Sequence, residues 1–344
     1  MARPAETATG TDPPPGAGAD AGGLRAIALI LLAMLAFTVQ DAAVKLVSDQ
    51  ISIWQMQLVR SAAVIALLAL FVRWVGGEAL IPSRWLWPVL RAVAMCGAYL
   101  FYYAALPFLT LSQAAAAFFV GPLLITLFAA LLIGEPIGPR RIAAVVVGFL
   151  GVLVIVRPGL EGWSPAALMP VAAAVCYALG SVLTRWRCRS EPGFALTFTH
   201  NLLYSGIGLL GLVFVPLLPI APETRAEAPF LLFAWVPIGL VPLVLLLSTA
   251  ATHMAGMLCS VAAYRGTEAS RIAPFEYSYL VIVPVFDLAI WGTWPDDWTF
   301  AGMALILASG TYVAWREGRP ARPRVQFRGE VPWTPDHGDG KGGA

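Results

Sequence analysis

The chain has 344 residues, of which 59% are hydrophobic and only 12% charged, and its mean hydropathy is +0.76. A soluble domain carries about twice that charged fraction, so a water-soluble globular fold is excluded. The net charge of +2 says little about partners, and the useful quantity is where the charges sit.

Residues 1–23 are rich in Ala, Pro, Gly and Thr and read as a disordered tail without a signal-peptide core. Ten apolar runs then approach the ~20 residues needed to cross a bilayer. They lie near 25–46, 52–74, 86–106, 110–133, 139–157, 164–185, 194–218, 240–264, 272–294 and 298–316. The stretch 229–264 is too long for one straight helix, and Pro237 and Pro242 predict a separate interfacial piece before the eighth span. Residues 317–344, rich in Arg, Gly and Pro, read as a second tail. The four cysteines have no metal-ligand spacing and form no disulfide framework.

An even number of spans puts both tails on one side. With the N-terminus in the cytoplasm, 18 of the 22 Lys and Arg residues fall on inner segments, three on outer ones (Lys45, Arg157, Arg225), and Arg60 within the second span. That bias follows the positive-inside rule. The expected location is a bacterial inner membrane, multi-pass, with both termini cytoplasmic.

The fifth run ends "GVLVIVRPG" and the tenth "GTYVAWREG", with Arg at the same offset from both glycines. "SQAAAAFFVGP" at 112–122 is similar to "TEASRIAPFEY" at 267–277, and "AFTVQDAAVK" at 36–45 lines up loosely with "CYALGSVLTR" at 176–185. Two copies of a five-helix unit are expected, 24–158 and 163–316. Five is odd, so the second copy enters the membrane from the opposite side, the pattern of transporters built from inverted repeats. Ala144, Gly148 and Gly151 in the fifth run allow close helix approach.

"FTVQDAAVKLVS", "QLVRSA", "GPLLITLFAALLIGEP", "YRGTEASRIAPFEYSYL" and "GMALILASGTYVAWRE" follow one another along the chain. In that order they resemble the EamA-like members of the drug/metabolite transporter superfamily over nearly all of 25–316. The resemblance implies an all-α polytopic protein of ten transmembrane helices in two inverted repeats, with a cavity between them served by alternating access. Asp41, Lys45 and "APFEY" look like the branch holding riboflavin and S-adenosylmethionine importers. Two departures bear on substrate rather than fold: Thr293 stands where the branch usually has an acidic residue, and Gly256-Met257 where the family often has Gly-His, with His253 one turn earlier.

A charge at mid-bilayer costs about 2.5–3.5 kcal/mol on insertion scales, so each intramembrane polar group is a site candidate. In a regular ninth helix, eleven residues at ~100° each would place Glu276 and Asp287 on one face. Pro274 is expected just inside that helix's start, with Glu276 near the positive N-terminus and Tyr277 beside it. Glu276 reads as a helix-terminus charge or as a substrate or proton site at the inner mouth, and Asp287 as a helix contact or part of the pathway. Asp41 and Arg60 lie on consecutive antiparallel helices and can meet as an outer ion pair or gate, Lys45 being Asp41's alternative partner. His253 is a neutral, hydrogen-bonded ring or a proton-coupling group. His200 lies nearer a helix end and is the weaker candidate. Tyr99, Tyr102 and Tyr103 line a cavity or pack between helices, and Trp85 and Trp87 read as an interfacial belt.

No catalytic residue, metal site or cofactor is expected. The chain lacks G-x-x-x-x-G-K-[ST], H-E-x-x-H and G-x-S-x-G, which argues against an ATPase of its own and against an embedded enzyme. The expected partners are a small-molecule substrate and the lipid bilayer, not nucleic acid, with homodimer formation left open. The reading is a secondary transporter of a small metabolite such as riboflavin, S-adenosylmethionine or an amino acid. An exporter of amino acids or drug-like compounds, and a non-transporting sensor, are the alternatives.

Overall fold

Long apolar runs have one way to satisfy their backbone in lipid without sheet edges, and that is helix. A computed structural model describes residues 17–75, 80–159, 164–266 and 269–317, and all regular structure among them is helical. In chain order the helices are α1 (Ala17–Val47), α2 (Ile53–Val75), α3 (Leu86–Ala105), α4 (Leu111–Phe118), α5 (Gly121–Ile133), α6 (Pro139–Val156), α7 (Leu168–Arg187) and α8 (Gly193–Phe214). After the short α9 (Pro222–Glu227) and α10 (Pro229–Leu232) come α11 (Leu240–Gly266), α12 (Ala269–Glu276), α13 (Tyr279–Trp291) and α14 (Asp297–Glu317).

Among the described residues, nine helical spans are long and apolar enough to cross a membrane. α14, at the tenth expected position, is a 21-residue helix that is not one of the nine. The separate piece expected within 229–264 is α10 followed by non-helical 233–239. The first helix starts at Ala17, so it reaches into the stretch expected to be tail. The rest of that tail and residues 318–344 lie outside the described residues.

The packing follows a simple rule. α1 lies along α11, α2 along α8, α3 along α7, α4 against α13 and α6 along α14. Counting α4–α5 and α12–α13 as single interrupted helices, exchanging the first five with the last five returns the same pairs. Large apolar side chains such as Leu150 and Leu153 of α6, Leu209 and Leu210 of α8, and Val241 and Val244 of α11 are exposed on the outside. An apolar belt of that extent is unsuited to water and fits a bilayer.

Glycine sets the closest approach. A Cβ on Gly302 would stand 2.6 Å from the Gly151 carbonyl oxygen, and one on Gly151 2.9 Å from that of Gly302. Backbone meets backbone there, as the small residues of the fifth run predicted.

Candidate functional site

The fourth and ninth runs are not the continuous helices expected from their composition. α4 has 8 residues and α5 has 13. α12 has 8 and α13 has 13. Phe119 and Val120 interrupt the first pair, and Tyr277 and Ser278 the second. Gly134 and Gly292, both left-handed at φ 75° and 65°, end α5 and α13, a conformation in which glycine carries no Cβ penalty.

The causes are local. Pro122 has no N–H, so it cannot bond back to the carbonyl of Phe118. Around the second break the chain tightens into i→i+3 bonds, Tyr277 N–H to the Pro274 carbonyl (3.3 Å) and Leu280 N–H to the Tyr277 carbonyl (3.0 Å). Pro274 therefore lies inside α12 rather than at a helix start, and Glu276 ends α12. The face shared by Glu276 and Asp287 was an expectation for a regular helix, and this helix is not regular.

The two breaks touch. Phe119 stacks on Tyr279 with centroids 5.3 Å apart at 17°, and lies 5.6 Å from Tyr277. Tyr277 is seated on Gly310, where a Cβ would fall 2.0 Å from its hydroxyl.

On one side of this crossing, α4 is held to α13. The Asp287 carboxylate, 1% exposed, accepts from Leu111 N–H (3.1 Å), Ser112 N–H (2.8 Å) and the Ser112 hydroxyl (2.6 Å). Thr110 and Gln113 complete the end as a capping box. The otherwise orphaned N–H groups at the start of α4 are thus satisfied, two of them by a carboxylate from α13 sitting on the positive end of the helix. Lys45 donates to the Leu106 carbonyl (2.9 Å) and to that of Leu109, with its ammonium 5.3 Å from the centroid of Trp291. Arg157 pairs with Asp296 at 2.5 Å. Burial works against ionisation of Asp296, but hydrogen bonds from Thr299 and the Arg157 guanidinium outweigh it and hold the carboxyl below its usual range.

On the other side, α5 and α12 have no comparable packing. A cavity of about 200 Å³ opens there, lined by Thr126 and Ala129 of α5, by Glu276 and Tyr277, and by Glu135, Arg141 and Arg185. Glu276 accepts from the Tyr264 hydroxyl at 2.7 Å. Arg185 pairs with Glu135 at 2.8 Å in the open.

Between these ends lies a buried polar network. Tyr279 donates to Asp41. Gln40 Nε2 donates to Asp41 (3.2 Å) and to the Tyr103 hydroxyl (2.8 Å). With its nitrogen committed to a carboxylate, Gln40 presents Oε1 to His253 Nδ1 at 3.0 Å, so that nitrogen carries the proton. Tyr102 lies 3.3 Å from Tyr279, and Gln57 donates to Tyr204.

Arg60 departs from expectation. It is 5% exposed, yet no ion pair within 4.0 Å joins it to Asp41, whose oxygens are occupied by Tyr279 and Gln40. Its guanidinium lies instead over the rings of Tyr99 (5.2 Å) and Tyr103 (5.4 Å). Lys45, the alternative partner for Asp41, is taken by the carbonyls. The structure therefore brings Asp41, His253 and Arg60 into one region, sets Glu276 and Tyr277 at the cavity, and uses Asp287 as a cap. Sequence reasoning missed Gln40, Tyr204 and Tyr279, and ranked His200 low. His200 is 5.5 Å from Tyr99 and 5.4 Å from Tyr204. The signal overlooked was the neutral polar and aromatic content outside the charged positions and the Tyr99–Tyr103 cluster.

Comparison with known proteins agrees with this architecture. The model of the EamA-like transporter family matches residues 24–157. A riboflavin transporter of Rhizobium johnstonii is 30% identical over 241 residues, covering 70% of this chain and 73% of that one. The chain belongs to the EamA-like transporter family. This family member is also 22% identical to an S-adenosylmethionine uptake transporter of Rickettsia prowazekii, over 86% of this chain and 94% of that one. It is 29% identical to a pseudopaline exporter of Pseudomonas aeruginosa, over 82% and 93%. A crystal structure with 19% identity superposes with a TM-score of 0.53 over 88% of this chain and 99% of that one, a likeness of fold. The chain is thus a multi-pass transporter of the small-metabolite kind and not an enzyme.

Proposed function

We propose that the chain is a secondary transporter that moves a small metabolite across the bacterial inner membrane by alternating access between two inverted five-helix halves, 24–158 and 163–316. The observation that carries this is the unequal packing of two equally built helices: α4 is locked to α13, while α5 and α12 stand apart around a cavity. The exchange-invariant packing pairs and the matching 8-and-13-residue interruptions support a two-fold relation between the halves. An inverted repeat gives such a bundle two mirror-related packings, each open to one side. The Lys and Arg distribution supports an orientation with the Asp287 end outside and the Glu276 end, with Arg141 and Arg185, in the cytoplasm. This conformation is then open to the cytoplasm, and both termini are cytoplasmic.

Substrate binds near Asp41, Arg60 and His253, reached past Glu276 and Tyr277. The riboflavin and S-adenosylmethionine relatives support uptake of a metabolite of that size. The similarity to a pseudopaline exporter supports the opposite direction as the second reading. The test is flux of radiolabelled riboflavin, S-adenosylmethionine and amino acids in proteoliposomes. Saturable flux of one class, lost in Asp287→Ala, is expected. Flux of every class equal to that in protein-free liposomes, with folded protein, would sink the reading.

A further inference from the structure

The donors and acceptors around Arg60 do not balance. The one carboxylate in the network, Asp41, is filled by Tyr279 and Gln40. Among the described residues Arg60 has no carboxylate within ion-pair distance, and its Nε, fully enclosed, has no hydrogen-bond partner. A buried cation supported by tyrosines, with no anion beside it, keeps its charge unneutralised and this donor unspent. One turn earlier on α2, Gln57 also has an unpartnered amide oxygen. The Tyr204 hydroxyl that it faces can donate as well as accept, so this amide can offer either its oxygen or its nitrogen to a ligand.

The surroundings fit a flat molecule. Tyr99 has Tyr103, His200, Tyr204 and His253 within 6.2 Å, the five rings coming from α3, α8 and α11. Although they lie between helices, Tyr99 and His200 keep partial access to solvent. Aromatic side chains pair favourably with other rings.

We propose that Arg60 is the anion-binding group of the substrate site, and that the substrate is an aromatic or heteroaromatic compound carrying a carboxylate or a phosphate. The proposal rests on the transporter reading only for placing substrate between the halves. It is tested by equilibrium binding, so a chain that binds without transporting contradicts that reading and leaves this one intact.

The experiment uses the full chain in nanodiscs and two matched probe pairs, nicotinate against nicotinamide and flavin mononucleotide against riboflavin. In at least one pair the anion is expected to bind about tenfold tighter or more, the effect of one charge-assisted hydrogen bond. The pair that shows it distinguishes carboxylate from phosphate. Arg60→Gln should bring the ratio to near one, with the melting temperature lowered by no more than the loss of the contacts to the Tyr99 and Tyr103 rings. Arg60→Lys, which retains the charge, should keep a reduced preference, and it stands in if Arg60→Gln does not fold. Equal or inverted affinities in both pairs overturn the proposal. So does binding of neither anion, or a preference that survives in Arg60→Gln.

Discussion

At the Asp287 end, α4 and α13 are joined by a carboxylate that caps a helix from the opposite half of the chain, with Lys45 closing the neighbouring carbonyls. At the Glu276 end, α5 and α12 have the same lengths and the same kind of interruption, yet they part around a cavity and Glu276 holds a single tyrosine hydroxyl. The difference lies in what each carboxylate is asked to do. Asp287 satisfies backbone groups that would otherwise be orphaned, which is expensive to undo. Glu276 accepts only from the exposed Tyr264 hydroxyl among the described residues, so it can change partners as the halves move.

That contrast is open to direct attack. Asp287→Ala removes the acceptor for two buried backbone N–H groups and a hydroxyl, and should cost about 3 kcal/mol, read as a lowered midpoint in thermal unfolding together with loss of flux. Asp287→Asn, which keeps one acceptor, should fall between it and wild type. An unchanged midpoint in Asp287→Ala would remove the latch from the account.

The same carboxylate-to-amide change at the other end is the sharper comparison. Glu276→Gln can still accept from Tyr264, so its stability should stay within about 1 kcal/mol of wild type while flux changes. A loss as large as that of Asp287→Asn would make the two ends equivalent.

The smallest effect belongs to the rim. The Arg157–Asp296 pair has side chains 20% and 42% exposed, so solvent screening limits it to well under 1 kcal/mol. Because the folded state holds the Asp296 carboxyl below its ordinary value of 3.8, the pair's contribution is present above that value and fades as pH falls through the lowered one. Arg157→Gln should narrow the stability gap between pH 7 and pH 3 slightly, measured by denaturant midpoints. A wider gap would contradict the sign.

Much of this could be read from the chain. The long apolar runs, the repeated Gly-Arg-Gly ends and the positions of Asp41, Arg60, Glu276 and Asp287 are all local properties. The interruptions were harder, because apolar composition is the same on both sides of a break. Pro122 carried the signal for the first, and Pro274 for the second, but its neighbours also fit a helix start. The pairing of charges was read too simply. Asp41 and Arg60 have compatible depths, but depth says nothing about which neutral groups arrive first, and Gln40, Tyr279 and Tyr103 took their places. Asp287 could not be assigned as a cap of α4 before the crossing of α4 and α13 was known.

The central claim is that the two ends open in alternation. It is tested most directly by thiol accessibility of Thr126→Cys, in the cavity wall, with the four native cysteines replaced. Oriented vesicles are treated with a membrane-impermeant maleimide. The account predicts rapid labelling from the cytoplasmic face alone, and slower labelling once Asp287→Asn weakens the opposite latch and shifts the population toward the outward-open state. Equal labelling from both faces, or a rate indifferent to Asp287→Asn, would contradict it.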